Sequence, residues 1–137
     1  MKIIKTLLVT FLLSGSAASV SASAKAYGIY NETPSKTICI KNAQAADADK
    51  FFSTSTIVMF EVYKAGSKEE VAKIIKSLKL DPNVESVNEG ALTGDYQAIT
   101  ITLKSTKDKA WFIKEFKKAG LNHIKINNNP VVEVDKI

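Results

Sequence analysis

The stretch STIVMFEVYKAGSKEEVAKIIKSL, residues 55–78, decides the fold. Its first ten residues, Ser55 to Lys64, are rich in β-branched and aromatic side chains. Val58, Phe60 and Val62 alternate with Glu61 and Tyr63, the period-two pattern of a half-buried strand. Lys64-Ala65-Gly66 reads as a turn. Ser67 then opens a helix, and Glu70 three residues later completes a capping box. Val71, Ile74, Ile75 and Leu78 follow helical spacing, so this helix lays one apolar face on a sheet. A strand joined to an amphipathic helix by three residues is the start of an α+β sandwich.

Working outward, Asp81-Pro82-Asn83 stops the helix. Val84 to Leu92 reads as a second strand, with Gly90 marking a bulge. Thr93-Gly94-Asp95 is a turn, and Tyr96 to Lys104 is a third strand. There Ile99, Ile101 and Leu103 face one way and Ala98, Thr100 and Thr102 the other. A second helix is expected from Ser105 or Thr106, with Trp111, Phe112, Phe116 and Ala119 on its apolar face and Gly120 at its C-terminal cap. Leu121 to Asn127 is a fourth strand. Asn127-Asn128-Asn129-Pro130 breaks it as a turn, and Val131 to Val134 reads as a short edge strand. The fold class expected is α+β, a ferredoxin-like βαββαβ two-layer sandwich over residues 55–137, with four antiparallel strands and two helices on one face.

Residues 25–54 read as an N-terminal arm or linker. Gly28-Ile29-Tyr30 and Thr37-Ile38-Cys39-Ile40 are candidates to pair with each other, and Ala43 to Lys50 reads as a linker or short helix. Residues 1–24 have the form of an export signal. Lys2 and Lys5 precede an apolar run from Thr6 to Leu13, and Ala22-Ser23-Ala24 is an A-x-A cleavage site. The run is too short for a membrane span, which needs about 20 apolar residues. Leu13-Ser14-Gly15-Ser16 has serine where a lipidated cysteine would stand, so no stable membrane anchor is expected. Cleavage near Ala24 implies a periplasmic or secreted protein.

Among the 137 residues, all 19 basic side chains are lysine, and the formal net charge is +5. Losing Lys2 and Lys5 with the leader lowers it to +3. Without arginine the chain lacks the bidentate fork for phosphate and guanine. With the export signal, this argues against nucleic acid as a partner. A protein partner or envelope component is expected instead, and nothing in the composition fixes an oligomeric state.

The phrase Asn83-Val84-Glu85-Ser86-Val87-Asn88, after an amphipathic helix ending in Leu78, resembles the second-strand entry of the heavy-metal-associated family. The resemblance covers about residues 55–127 and implies the ferredoxin-like sandwich. That family holds soft metal on two cysteines two apart, in the loop after the first strand. The corresponding loop here, Tyr63-Lys64-Ala65-Gly66-Ser67, has no thiol, and soft cations need thiolate or thioether ligands. The family's metal role is therefore carried over to no residue.

The lone cysteine, Cys39, rules out an internal disulfide. It is a weak metal candidate with His123 and Met59, against the simpler reading of a small buried residue between Ile38 and Ile40. His123, the lone histidine, reads more simply as an exposed residue alternating with Ile124. Trp111 and Phe112 read as core, with one of them at its edge. Asp47 and Asp49 fall short of a calcium loop. No phosphate loop, H-E-x-x-H or G-x-S-x-G motif occurs, so no enzyme activity or cofactor is expected. The leading expectation is an exported, non-catalytic binding module that meets its partner through the outer sheet face, at Ile57, Met59 and Tyr63, or through an edge strand. The alternative is a copper- or zinc-handling domain with a non-standard site involving Cys39.

Overall fold

The computed structural model describes residues 32–137, and the expected export signal and cleavage site and Gly28-Ile29-Tyr30 lie outside them. The strands are β1 (Thr37–Ile40), β2 (Ile57–Tyr63), β3 (Val84–Thr93), β4 (Tyr96–Leu103), β5 (His123–Ile126) and β6 (Val132–Glu133). The helices are α1 (Ala48–Thr54), α2 (Lys68–Lys79) and α3 (Lys109–Lys118). Short 3-10 turns occupy Ala43–Ala46 and Val134–Lys136. The architecture is α+β, with one six-stranded mixed sheet in the order β3-β4-β2-β1-β5-β6.

Local chemistry explains most of these boundaries. Ser67 and Glu70 form the expected capping box at the start of α2. In β2 and β4 the inward residues Val58, Phe60, Val62, Ile99, Ile101 and Leu103 are all buried. They meet Val71, Ile74 and Leu78 of α2 and Phe112 and Phe116 of α3 in one core. The β3–β4 register slips between Glu89 and Leu92, around Gly90, and slips again between Val84 and Ser86. Gly120 is left-handed, with φ +79°, where α3 ends. The helix itself starts later than Ser105 or Thr106, because the Asp108 carboxylate accepts from the Trp111 N–H and caps it.

The largest difference from expectation lies in residues 32–54. They are not an arm beside the domain but part of it, in one compact unit that runs from Glu32 to Ile137. β1 lies in the middle of the sheet. It pairs antiparallel with β2 and parallel with β5, so the sheet is mixed rather than a set of four antiparallel strands. All four residues of β1 are buried, including Thr37 and Cys39 on its outward side. That is why Thr37-Ile38-Cys39-Ile40 shows no solvent alternation. α1 adds a third helix, capped by Asp47. Its Phe52 packs 4.8 Å from Phe112, ring centre to ring centre, and Phe116 packs 5.5 Å from Phe60. These edge and tilted contacts are favourable for aromatic pairs. Asp49, the other acid of this stretch, pairs with Lys109 of α3 at 2.9 Å.

Asn127, at the head of the Asn-Asn-Asn-Pro turn, takes a left-handed φ of +54°. Its side-chain amide accepts from the Asn42 N–H and donates to the Asn42 carbonyl, each at 2.9 Å. The turn thus ties the end of β5 to the chain leaving β1.

Trp111 is half-buried at the rim of the core, while Phe112 is fully buried. The indole N–H of Trp111 donates to Asp81 Oδ2 at 3.2 Å. The backbone N–H of Asn83, the Asn83 amide and this indole together hold the Asp81 carboxyl below its ordinary range. A folded value below the unfolded one means stability that is present above the ordinary aspartate range and lost as pH falls through the depressed value. Trp111 is the only tryptophan, so its fluorescence reports this step. The transition is expected below about pH 3.9, the unperturbed aspartate value. A step at or above that pH would show that the contact does not depress the carboxyl.

Candidate functional site

Among the described residues, the three α-helices feed one core, and the outward residues of the strands form a second face. On β2 that face carries Ile57, Met59, Glu61 and Tyr63. On β4 it carries Tyr96, Ala98, Thr100 and Thr102, which lie opposite them in register. On β1 it carries Thr37 and Cys39, and on β5 His123 and Lys125. Ile57 is 59% exposed and Met59 70%, on neighbouring outward positions of a strand next to the sheet's centre. Large apolar side chains scattered on a surface need no explanation, but two side by side on a sheet face mark a patch.

The rim of the patch is aromatic and charged. Tyr63 and Tyr96 pack as a tilted pair with ring centres 5.2 Å apart. The Lys41 ammonium sits 5.1 Å above the Tyr96 ring and 2.9 Å from Glu61 Oε2. Tyrosine with a cation over its face offers both a flat apolar surface and polar ends, the composition common at protein interfaces.

Cys39 lies between these features. It alternates with Ile38 and Ile40, so its thiol is on the outward face, yet it is only 6% exposed. Its cross-strand neighbours are Glu61 and Lys125. Burial pushes the thiol pKa up and the Glu61 carboxylate adds to this, while Lys125 and Lys41 pull the other way. A protonated, buried thiol is a poor nucleophile and a poor ligand. Alkylation by iodoacetamide at mildly alkaline pH is therefore expected to run at least about tenfold slower on folded Cys39 than on a free cysteine. Labelling at the rate of the urea-unfolded chain would contradict that environment.

The three metal candidates divide. Cys39 and Met59 line one shallow depression of about 200 Å³, with Lys41, Glu61, Ala98 and Thr100. His123 lies opposite Thr37 and lines a separate hollow with Lys117, Glu133 and Asp135. Among the described residues, no group of three or more His, Cys, Asp or Glu side chains is placed to hold a metal ion. Of the interaction candidates, Ile57, Met59 and Tyr63 do share the outward face of β2.

Sequence reasoning passed over two buried polar groups. Gln97 continues the inward phase of Ile99 and Ile101, and its Nε2 donates to the carbonyls of Gly90 and Ala98 at 2.9 and 3.0 Å. Glu115, on the buried side of α3, is paired with Lys118 at 3.0 Å. The phase of the alternation was the available signal for Gln97. Glu115 had none, because its burial depends on how α3 docks. No helix among the described residues is long and apolar enough to cross a membrane.

Compared with protein-family models, with curated proteins and with solved structures, the chain matches none.

Proposed function

We propose that this protein is an exported, non-catalytic binding module whose working surface is the outer sheet face around Ile57, Met59 and Tyr63. The observation that carries the reading is the exposure of Ile57 and Met59 side by side on β2, rimmed by Tyr63, Tyr96 and the Lys41–Glu61 pair. A strand at this place with no partner would normally carry polar residues outward, as β4 does with Thr100 and Thr102. The export signal at Met1 to Ala24 supports a periplasmic or secreted site of action. With β1 set aside, the order β3-β4-β2-β5 supports reading the frame as a ferredoxin-like βαββαβ sandwich with one strand inserted between β2 and β5. The resemblance to the heavy-metal-associated family belongs to that frame alone, since the loop Tyr63 to Ser67 holds no sulfur ligand.

The test is capture of partners from the envelope of an exporting host by the mature protein and by the double variant Ile57→Asp, Met59→Asp. Both positions are exposed, so the variant is expected to fold with a stability change within about 1 kcal/mol. Any specific partner of the parent is expected to be lost, because buried apolar contacts at an interface centre carry most of its affinity. A partner retained at full strength by the folded double variant would overturn the reading.

A second reading, a soft-metal site on Cys39 and Met59, has in its favour that the two side chains line one depression. Metal analysis by native mass spectrometry separates the two readings. Stoichiometric copper or zinc that disappears in Cys39→Ser would replace the binding-module account with metal handling.

A further inference from the structure

Charge is unevenly placed on this molecule. α2 carries Lys68, Lys73, Lys76 and Lys79 against Glu69 and Glu70. α3 carries Lys109, Lys114, Lys117 and Lys118 against Glu115. The β3–β4 hairpin is the reverse, with Glu85, Glu89 and Asp95 and no lysine between Val84 and Leu103. α2 and α3 pack against each other and onto the inner side of the sheet, so their exposed lysines share the opposite side of the sandwich from Ile57 and Met59.

The acids nearby are mostly engaged. Asp135 and the buried Glu115 take Lys117 and Lys118. Asp81 and Asp108 accept from the indole and backbone N–H of Trp111. Glu70 feels Lys73, but its carboxylate already accepts from Lys36 and from the Ser67 N–H. Glu69, in the first turn of α2, stays outside ion-pair distance of Lys73. Lys73, Lys76, Lys79 and Lys114 are exposed, and none forms an ion pair among the described residues.

The stripe has an apolar end. Leu80, at the C-cap of α2, keeps helical φ and ψ. Lys73, Lys76 and Leu80 therefore fall at i, i+3 and i+7, on one side of the helix. Leu80 is 75% exposed. It precedes Asp81, whose carboxylate holds the half-buried Trp111 of α3. Lysines leading to an exposed leucine, with a tryptophan close by, are the composition of a surface that lies on an anionic bilayer. Lysine acts as a point charge and needs no bidentate fit, which suits a fluid array of phosphate headgroups.

We propose that the α2–α3 face docks reversibly on an anionic phospholipid bilayer, with Lys73, Lys76, Lys79 and Lys114 against the headgroups and Leu80 entering the interface. The choice of lipid over nucleic acid rests on the export reading. The outer sheet face then points away from the bilayer, and a lipid surface gives the helix face no protein to meet.

The experiment is co-sedimentation of the mature protein with vesicles of phosphatidylcholine alone and of phosphatidylcholine with an equal part of phosphatidylglycerol. Binding to the anionic vesicles alone is expected at low salt. It should weaken at least about tenfold in about 1 M salt, where the screening length falls to about 3 Å. Lys73→Gln with Lys76→Gln keeps helix propensity and should weaken binding at least about tenfold, the effect of two lysines at a charged surface. Lys64→Gln with Lys125→Gln removes the same charge from the other side of the sheet and should bind as the parent does. Leu80→Gln should weaken binding at least about threefold, roughly the effect of one buried methylene. The double variant Ile57→Asp, Met59→Asp should still bind vesicles, which separates failure of this face from failure of the outer one. No preference for anionic vesicles, equal losses from the two lysine pairs, or tighter binding to a DNA duplex at the same phosphate concentration would overturn the proposal.

Discussion

A chain that begins at Ser55 is expected not to fold. The cut removes β1 from between β2 and β5, so two strands lose their hydrogen-bonded neighbour at once. It also takes Ile38, Ile40, Ala45, Phe51 and Phe52 out of the core. Burying one large apolar side chain is worth about 1.5–3 kcal/mol. Four such residues and an alanine therefore match the whole net stability of a domain, about 5–15 kcal/mol. Circular dichroism and urea titration read the outcome. A non-cooperative, largely unfolded chain is expected. A cooperative transition would mean that β5 can close directly onto β2 and that β1 is dispensable.

Phe52→Ala is expected to cost about 3–5 kcal/mol, the range for deleting a buried aromatic ring. Phe52 is fully buried and its ring packs against Phe51, Phe112 and Phe116. It anchors α1 to α3, so the cavity opens where two helices meet and has little freedom to collapse. The shift in urea midpoint at constant slope measures it. Met59→Ala, at an exposed position, is the control and should change stability by less than about 0.5 kcal/mol. A loss below about 1 kcal/mol for Phe52→Ala would show that α1 is a loose cover rather than part of the core.

The contrast between these two regions explains how far the chain could be read before its structure. β2, α2 and β4 announce themselves because each has one wet face. Val58-Met59-Phe60-Glu61-Val62 alternates, and Val71, Ile74 and Leu78 recur with the helical period. β1 is buried on both faces and only four residues long, so Thr37-Ile38-Cys39-Ile40 has no period to detect. α1 is seven residues, and its two core anchors, Phe51 and Phe52, are adjacent rather than spaced. A parallel pairing between residues about 85 positions apart, such as Ile38 with Ile124, leaves no local trace. Ile57, Met59 and Tyr63 were legible as one face because their strand was. The separation of His123 from Cys39 was not, since it follows from which strands are neighbours.

The central claim is that the face bearing Met59 is the one that meets a partner. The most direct measurement is photo-crosslinking in an exporting host, with a photoreactive amino acid placed at Met59 and, in a separate strain, at Lys76 on α2. The account predicts a discrete higher-mass adduct from position 59 and none from position 76. Adducts from position 76 alone, or none from 59 with the protein folded and exported, would contradict it.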